Sequence, residues 1–287
     1  MHKDARIFIG MTTIPPRLQD PKFVPHLLCL NLQFPSFEKL FLTLPKSYKR
    51  FPNETLNRIT LARIQNLKWL EIIWLDEDYG PACKFLGPMI HKYDILKDNI
   101  LIILDDDRFY DRSMIEIYKN FFNIYPHIKI VSGNPFFYFN QLMYNSCNHN
   151  YIKVLESHEK YPSGFMSFAM HFSFDWKPLI EYTLHIIKHV DKAFYHDEGI
   201  LLNFIRFLNI SLFYIDYKFV NVVKEEMVNS LVNGNYIDRK EMEEKIMQYT
   251  NKNNLLGVQY SHYNNKKIMK KINRLPFYIL KKNVTIE

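Results

Sequence analysis

Ile100-Leu101-Ile102-Ile103-Leu104-Asp105-Asp106-Asp107 is the stretch on which the reading of this chain turns. Five aliphatic residues without alternation describe a strand covered on both faces, as in the middle of a parallel sheet. The three carboxylates that end it crowd like charges together and raise the cost of ionising them, a cost that a divalent cation would remove. In open α/β sheets, ligands bind beyond the carboxyl ends of the strands, which is where the triplet falls. The expectation is a metal-dependent site for a phosphorylated or otherwise anionic ligand. If the chain stays extended, Asp105 and Asp107 face one way and Asp106 the other. The plainer alternative is a polar turn leading into the next helix, with Asp111 or Ser113 as its N-cap.

Outward from this strand the same punctuation recurs. Ile7-Phe8-Ile9-Gly10 reads as a first strand, running into Met11-Thr12-Thr13-Ile14-Pro15-Pro16-Arg17. The paired prolines predict an extended, rigid loop, which offers the hydroxyls of Thr12 and Thr13 and the cation of Arg17 to a ligand, or is simply a turn. A helix is predicted over Phe23 to Phe34, strands over Leu40 to Leu44 and Trp69 to Trp74, and a further strand over Ile128 to Gly133. Strands separated by helical stretches argue for βαβ units and a mostly parallel sheet. Between the third strand and the triplet lies Asp76-Glu77-Asp78-Tyr79-Gly80-Pro81-Ala82-Cys83-Lys84. Gly80-Pro81 suits the opening of a helix, whose free N–H groups attract phosphate, with Lys84 one turn further on. A capped surface helix with a solvated lysine accounts for it equally well.

The second half is less regular. Residues 134 to 160 are rich in Asn, Tyr and Phe without clear periodicity, as in a long substrate-binding loop. Gly164 sits in a turn where the backbone can approach a ligand closely. His196-Asp197-Glu198-Gly199 precedes a helix, so Asp197 and Glu198 either complement its dipole or supply a rigidly held general base. A late strand is predicted over Ile210 to Ile215, then a charged helix over Asp238 to Tyr249 and a lysine-rich tail. That tail is a solvated face or an anion-facing one. His262 is either a metal ligand or an exposed loop histidine.

The bulk numbers set bounds. A chain of 287 residues can bury a substantial core. Its formal charge of +7 favours anionic ligands. No zinc-finger spacing or aromatic-basic RNA-binding motif appears, so nucleic acid is not expected as a partner. Three separated cysteines suit a reducing compartment. No leader and no transmembrane segment is evident, and the expectation is a cytoplasmic protein, of the host cytoplasm if viral.

Taken together, Thr12-Thr13-Ile14-Pro15-Pro16-Arg17, Asp78-Tyr79-Gly80-Pro81-Ala82 with Lys84, and Asp105-Asp106-Asp107 resemble the GT-A-type nucleotide-sugar glycosyltransferases, in particular small bacterial and giant-virus members. The resemblance covers roughly residues 5 to 215. It implies an α/β, Rossmann-like GT-A fold, with a nucleotide-sugar-binding and catalytic domain over 1–221 and a helical, basic extension over 222–287 packed on it. It places Thr12, Thr13, Pro15 and Arg17 beside the nucleotide, and Asp78, Tyr79, Gly80 and Lys84 at the nucleoside or diphosphate. Asp105 would lie towards the ribose, and Asp106 would be a further nucleotide-sugar-binding residue. Asp107, with Asp105 and His262, would hold Mn²⁺ or Mg²⁺. Gly164 matches the glycine loop near the acceptor, and Asp197-Glu198 matches the catalytic carboxylate, with either residue as the base. The implied reaction moves a sugar from a UDP-linked or other nucleoside-diphosphate donor to a hydroxyl of a glycan or glycoconjugate, with inversion.

Two departures stand out: the acidic pair reads Asp-Glu rather than ending in Asp, and the glycine loop has a single glycine. A phosphatase of the haloacid dehalogenase type also ends a strand with D-x-D, but in its first strand, whereas about a hundred residues precede the motif here. A metal-dependent nucleotidyltransferase and a non-catalytic glycan- or partner-binding module of the same fold remain the competing expectations.

Overall fold

In a computed structural model, the described residues are 5–33, 35–133, 167–215 and 241–256, with the backbone alone of residues 151–157, 216, 220–221, 239–240 and 278–281. The strands in chain order are β1 (Ile7–Thr12), β2 (Lys39–Pro45), β3 (Leu70–Leu75), β4 (Ile100–Ile103), β5 (Phe109–Tyr110), β6 (Ile130–Gly133), β7 (Tyr151–Ser157), β8 (Phe168–His171), β9 (Leu212–Asp216), β10 (Val220–Asn221) and β11 (Tyr278–Lys281). Nine of them form one sheet in the order β11-β7-β9-β6-β8-β4-β1-β2-β3, and β5 pairs with β10 in a separate ribbon. β3, β2, β1 and β4 are mutually parallel, and β6 and β9 share their direction. Only β7 and β8 oppose it, so the sheet is mixed but mostly parallel. The antiparallel β8 lies between β4 and β6, and the sequence reading did not foresee it.

The helices are α1 (Pro15–Gln19), α2 (Phe23–Asn31), α3 (Arg58–Gln65), α4 (Cys83–His91), α5 (Tyr93–Leu96), α6 (Met114–Ile124), α7 (Lys177–His189), α8 (Asp197–Phe207) and α9 (Arg239–Asn253). They cover both faces of the sheet. Leu18, Phe23, Leu27, Ile64 and Phe121 pack on one face, and Phe85, Leu96, Leu179, Phe204 and Met242 on the other. β4 shows why its sequence lacks alternation: Ile100, Ile102 and Leu104 enter the first layer, while Leu101 and Ile103 enter the second. Every one of these five is fully buried, and each such side chain contributes roughly 1.5–3 kcal/mol of burial free energy.

Three local expectations change. Pro15-Pro16 does not hold an extended loop. It occupies the first turn of α1, where proline's fixed φ is already helical and its missing N–H would have had no partner. Residues 151–157 of the aperiodic excursion form β7 in the sheet. The segment Lys177–His189, unassigned from the sequence, is a four-turn helix anchored by fully buried Trp176, whose indole N–H donates to the His171 carbonyl at 3.0 Å. Further on, α9 packs against α8, with Met242 and Ile246 in its hydrophobic layer, and reaches α7 through the Tyr182 and Thr250 hydroxyls, hydrogen-bonded at 2.8 Å. No helix among the described residues is long and apolar enough to cross a membrane.

Candidate functional site

The strand order β3-β2-β1-β4 makes the gap between β1 and β4 a topological switch point. Connections leave β1 towards one edge of the sheet, and the chain beyond β4 fills the other side. Thr12 to Arg17 emerge from the carboxyl end of β1 and Asp105 to Asp107 from that of β4. The two motifs therefore meet at the place where α/β sheets hold ligands.

They meet through ion pairs. The Arg17 guanidinium grips Asp106 through Nη1 and Asp107 through Nη2, the latter at 2.9 Å. Asp105 turns instead to Lys84, whose Nζ lies 2.8 Å from Asp105 Oδ1. This differs from the alternation expected of an extended chain. β4 ends at Ile103, and Asp106-Asp107 lie in a turn, so neighbouring side chains no longer point to opposite faces. Arg108 adds a third cation, its Nε 3.5 Å from Asp107 Oδ1. The Asp105 backbone N–H donates to the hydroxyl of buried Tyr110 at 2.8 Å. Ser113 stands at the N-cap position of α6 but makes no side-chain cap hydrogen bond; Asp111 Oδ1 instead closes the turn before the helix by accepting from the Ser113 N–H at 2.9 Å.

Lys84 joins this cluster to the acidic pair. Its side chain is 4% exposed, and its ammonium also lies 2.9 Å from Asp197 Oδ2, at the start of α8. A solvated lysine is thereby excluded. Burial pushes its proton affinity down, but Asp105, Asp197 and Glu198 outweigh that and hold it above the ordinary lysine range. Burial pushes Asp105 up, and Lys84, with Arg17 and Arg108 behind it, brings it below the usual carboxylate range. For Asp106 and Asp107 burial prevails over the pull of Arg17, and both are raised. The Thr13 hydroxyl lies close enough to lower the proton affinity of Asp106 without reaching hydrogen-bond geometry. Asp197 is buried and Glu198 half-buried in the first turn of α8.

The approach to Lys84 is built by backbone contact. Gly10 in β1 leaves room for α4: a Cβ there would stand 2.3 Å from the Lys84 carbonyl oxygen. Ahead of α4, the turn Gly80–Ala82 starts from Gly80 at φ 62°, and a Cβ on Gly80 would meet the Phe194 carbonyl at 2.4 Å. Asp78 fixes this turn, accepting from the Gly80 and Lys49 N–H groups, both at 2.8 Å. Both of its oxygens thus serve backbone donors, and burial raises its proton affinity. Tyr79 donates its N–H to Cys83 Sγ at 3.4 Å, and burial pushes that thiol up to about 12. The Tyr48 hydroxyl donates to the Thr13 carbonyl at 3.1 Å, and Thr12 Oγ1 donates to the Thr43 carbonyl at 2.8 Å.

Of the expected site residues, Arg17 with Asp106 and Asp107, and Lys84 with Asp105 and Asp197, form two ion-pair groups joined through the Asp105-Asp106 backbone, with Thr13 beside the first and Glu198 beside the second. Pro15 is buried in α1. Gly164 and His262 lie outside the described residues. Gly10, Tyr48, Arg108 and Tyr110 also shape the site and were not singled out in advance. Only the adjacency of Arg108 to the triplet was a usable signal; the other three depend on tertiary contacts. Among the described residues, no three His, Cys, Asp or Glu side chains converge as a metal site. The carboxylates of Asp105 and Asp107 are hard oxygen donors of the type Mg²⁺ and Mn²⁺ take.

No family model matches the chain. No curated protein matches it either. Among solved structures, a UDP-glucose pyrophosphorylase complexed with UDP-glucose aligns with 75% of this chain and 91% of its own, at 8% identity and a TM-score of 0.42.

Proposed function

We propose that the protein is a metal-dependent glycosyltransferase that takes a sugar from a nucleoside-diphosphate donor, UDP-linked in the first instance, to a hydroxyl of a glycan or glycoconjugate. The observation that carries this reading is the convergence of Arg17, Lys84 and the Asp triplet at the β1/β4 switch point, with Asp197-Glu198 tied to the same lysine. Such a site has cations for a diphosphate and carboxylates for a metal and a proton. Asp105 and Asp107, with His262 as a further candidate, would hold Mn²⁺ or Mg²⁺, which supplies Lewis-acid stabilisation of the diphosphate's charge.

The chain's own part is positioning and proton transfer. Arg17 and Lys84 take the diphosphate oxygens and offset the charge that builds on them as the sugar departs. Thr12, Thr13 and the turn at Asp78-Tyr79-Gly80 line the nucleoside side. The acceptor oxygen forms a bond to the anomeric carbon while the bond from that carbon to the diphosphate breaks, its electron pair leaving with the diphosphate. The acceptor's hydroxyl proton passes to the acidic pair. One displacement of this kind inverts the anomeric centre.

Calorimetry with UDP and GDP, with and without Mn²⁺, tests the reading. At least a tenfold gain in affinity with Mn²⁺ is expected for one of them, and Asp107→Ala should remove that gain while leaving the protein folded. Lack of metal-dependent binding by every nucleotide tested would sink it. In turnover assays, free nucleoside diphosphate supports glycosyl transfer, whereas pyrophosphate would identify a nucleotidyltransferase. A panel of nucleotide sugars then identifies the donor.

A further inference from the structure

The ion pairs of the site consume its cations. Arg17, Lys84 and Arg108 face the four carboxylates of Asp105, Asp106, Asp107 and Asp197. With those carboxylates ionised, the two groups together have no positive excess. Arg17 and Lys84 can donate hydrogen bonds to a diphosphate, but each already neutralises a carboxylate. A divalent cation at Asp105 and Asp107 would be offset in turn by the phosphoryl charges it binds. Net attraction for a nucleotide therefore calls for further cations on the same rim of the sheet.

The loop that follows β2 supplies them. β2 lies beside β1 and two strands from β4, all three parallel, so its carboxyl end stands about 10 Å from that of β4 at the usual strand spacing. Two hydrogen bonds already described tie this loop to the site: Tyr48 to the Thr13 carbonyl, and the Lys49 N–H to Asp78 Oδ2. They seat Lys49 between the turn after β1 and the turn at Gly80, with Arg50 next to it. The exposed Lys49 ammonium stands 5.7 Å from the centre of the Phe194 ring, in the turn Ala193–Tyr195 that leads to the acidic pair. The half-buried Arg50 guanidinium stands 5.1 Å from the centre of the Phe51 ring. An aromatic face attracts a cation without cancelling its charge, and neither residue forms an ion pair with a carboxylate among the described residues. Lys46, at the start of the same loop, is paired with Asp76 at 2.6 Å.

We infer that Lys49 and Arg50 bind the phosphates of the donor nucleotide, supplying the uncompensated positive charge that Arg17 and Lys84 do not. This rests on the transferase reading above. The nucleotide then lies across the carboxyl ends of β2, β1 and β4, with Lys49 and Arg50 at one end of its path and the Asp triplet at the other.

The experiment is calorimetry of UDP and GDP, each alongside its monophosphate and its nucleoside, at constant Mn²⁺ and at two ionic strengths. For the nucleotide that binds, the double variant Lys49→Gln/Arg50→Gln should lose about tenfold in affinity for the diphosphate and the monophosphate, the scale of a hydrogen bond to a charged group. Affinity for the nucleoside should stay within about twofold. The loss should shrink at high salt, because exposed charges are screened beyond roughly 10 Å at 0.1 M ionic strength. Lys46→Gln removes the same kind of charge from the same loop and should leave every affinity within about twofold. Both variants should melt with the wild type, since the Tyr48 and backbone bonds that hold the loop remain. An equal loss for nucleoside and nucleotide would overturn the assignment to the phosphates. So would undiminished affinity in the double variant, or an equal loss in Lys46→Gln. A wild-type protein that binds none of the nucleotides would overturn the transferase reading as well, a result distinct from the other three.

Discussion

Lys84→Met is expected to lower stability by about 3–5 kcal/mol at pH 7, the usual cost of breaking a buried pair by removing one partner, and to abolish binding of nucleoside diphosphates. Methionine fills much the same volume but leaves Asp105 and Asp197 facing each other's charge without an ammonium between them. The effect has a pH signature. In the wild type, burial raises Asp105, but Lys84 and the neighbouring arginines hold it below its ordinary value. A carboxylate with a depressed pKa adds stability above its unfolded value of about 3.9, and that contribution disappears as pH falls through the folded value. Without Lys84, burial dominates and Asp105 moves up. The carboxylate then costs stability at neutral pH, and the cost fades as it protonates. The gap between wild type and variant should therefore be widest at pH 7 and narrow towards pH 5. Urea unfolding at the two pH values measures it, and an equal gap at both would refute the ion-pair account.

The part of the fold legible in the sequence is the part set by local pattern. The unbroken apolar run at 100–104 announced a strand buried on both faces, and Gly80-Pro81 announced a helix start. What escaped was set by tertiary context. β8 is only Phe168–His171, too short for a pattern, and is defined by the strands on either side of it. Proline chemistry was read as an extended loop at 15–16 because its restriction of φ suits both a loop and a first helical turn. The candidate site divides in the same way. Acidic and basic residues at Arg17, Lys84, Asp105 to Asp107 and Asp197 carried a chemical signal along the chain. Their pairing carried none: that Arg17 takes Asp106 and Asp107, and Lys84 takes Asp105 and Asp197, follows from where β1, β4, α4 and α8 end in space.

Gly10→Ala tests whether that spatial arrangement depends on a single backbone contact. The new Cβ would lie 2.3 Å from the Lys84 carbonyl oxygen and 2.9 Å from Ile103 Cδ1. The isoleucine methyl can rotate away, but the carbonyl belongs to the first turn of α4 and moves only with the helix. Overpacking of this kind typically costs about 1–3 kcal/mol, and a backbone atom as the obstacle places the expected loss at the upper end of that range. The functional consequence should exceed the loss of stability. Moving α4 off β1 draws the Lys84 ammonium away from Asp105, just beyond β4, and Asp197, at the start of α8, which do not follow. Nucleotide affinity should then fall at least tenfold at temperatures where the variant is still folded, as judged by circular dichroism. A variant that loses stability but binds nucleotide as tightly as the wild type would show that Lys84 finds its partners without the close packing of α4 on β1.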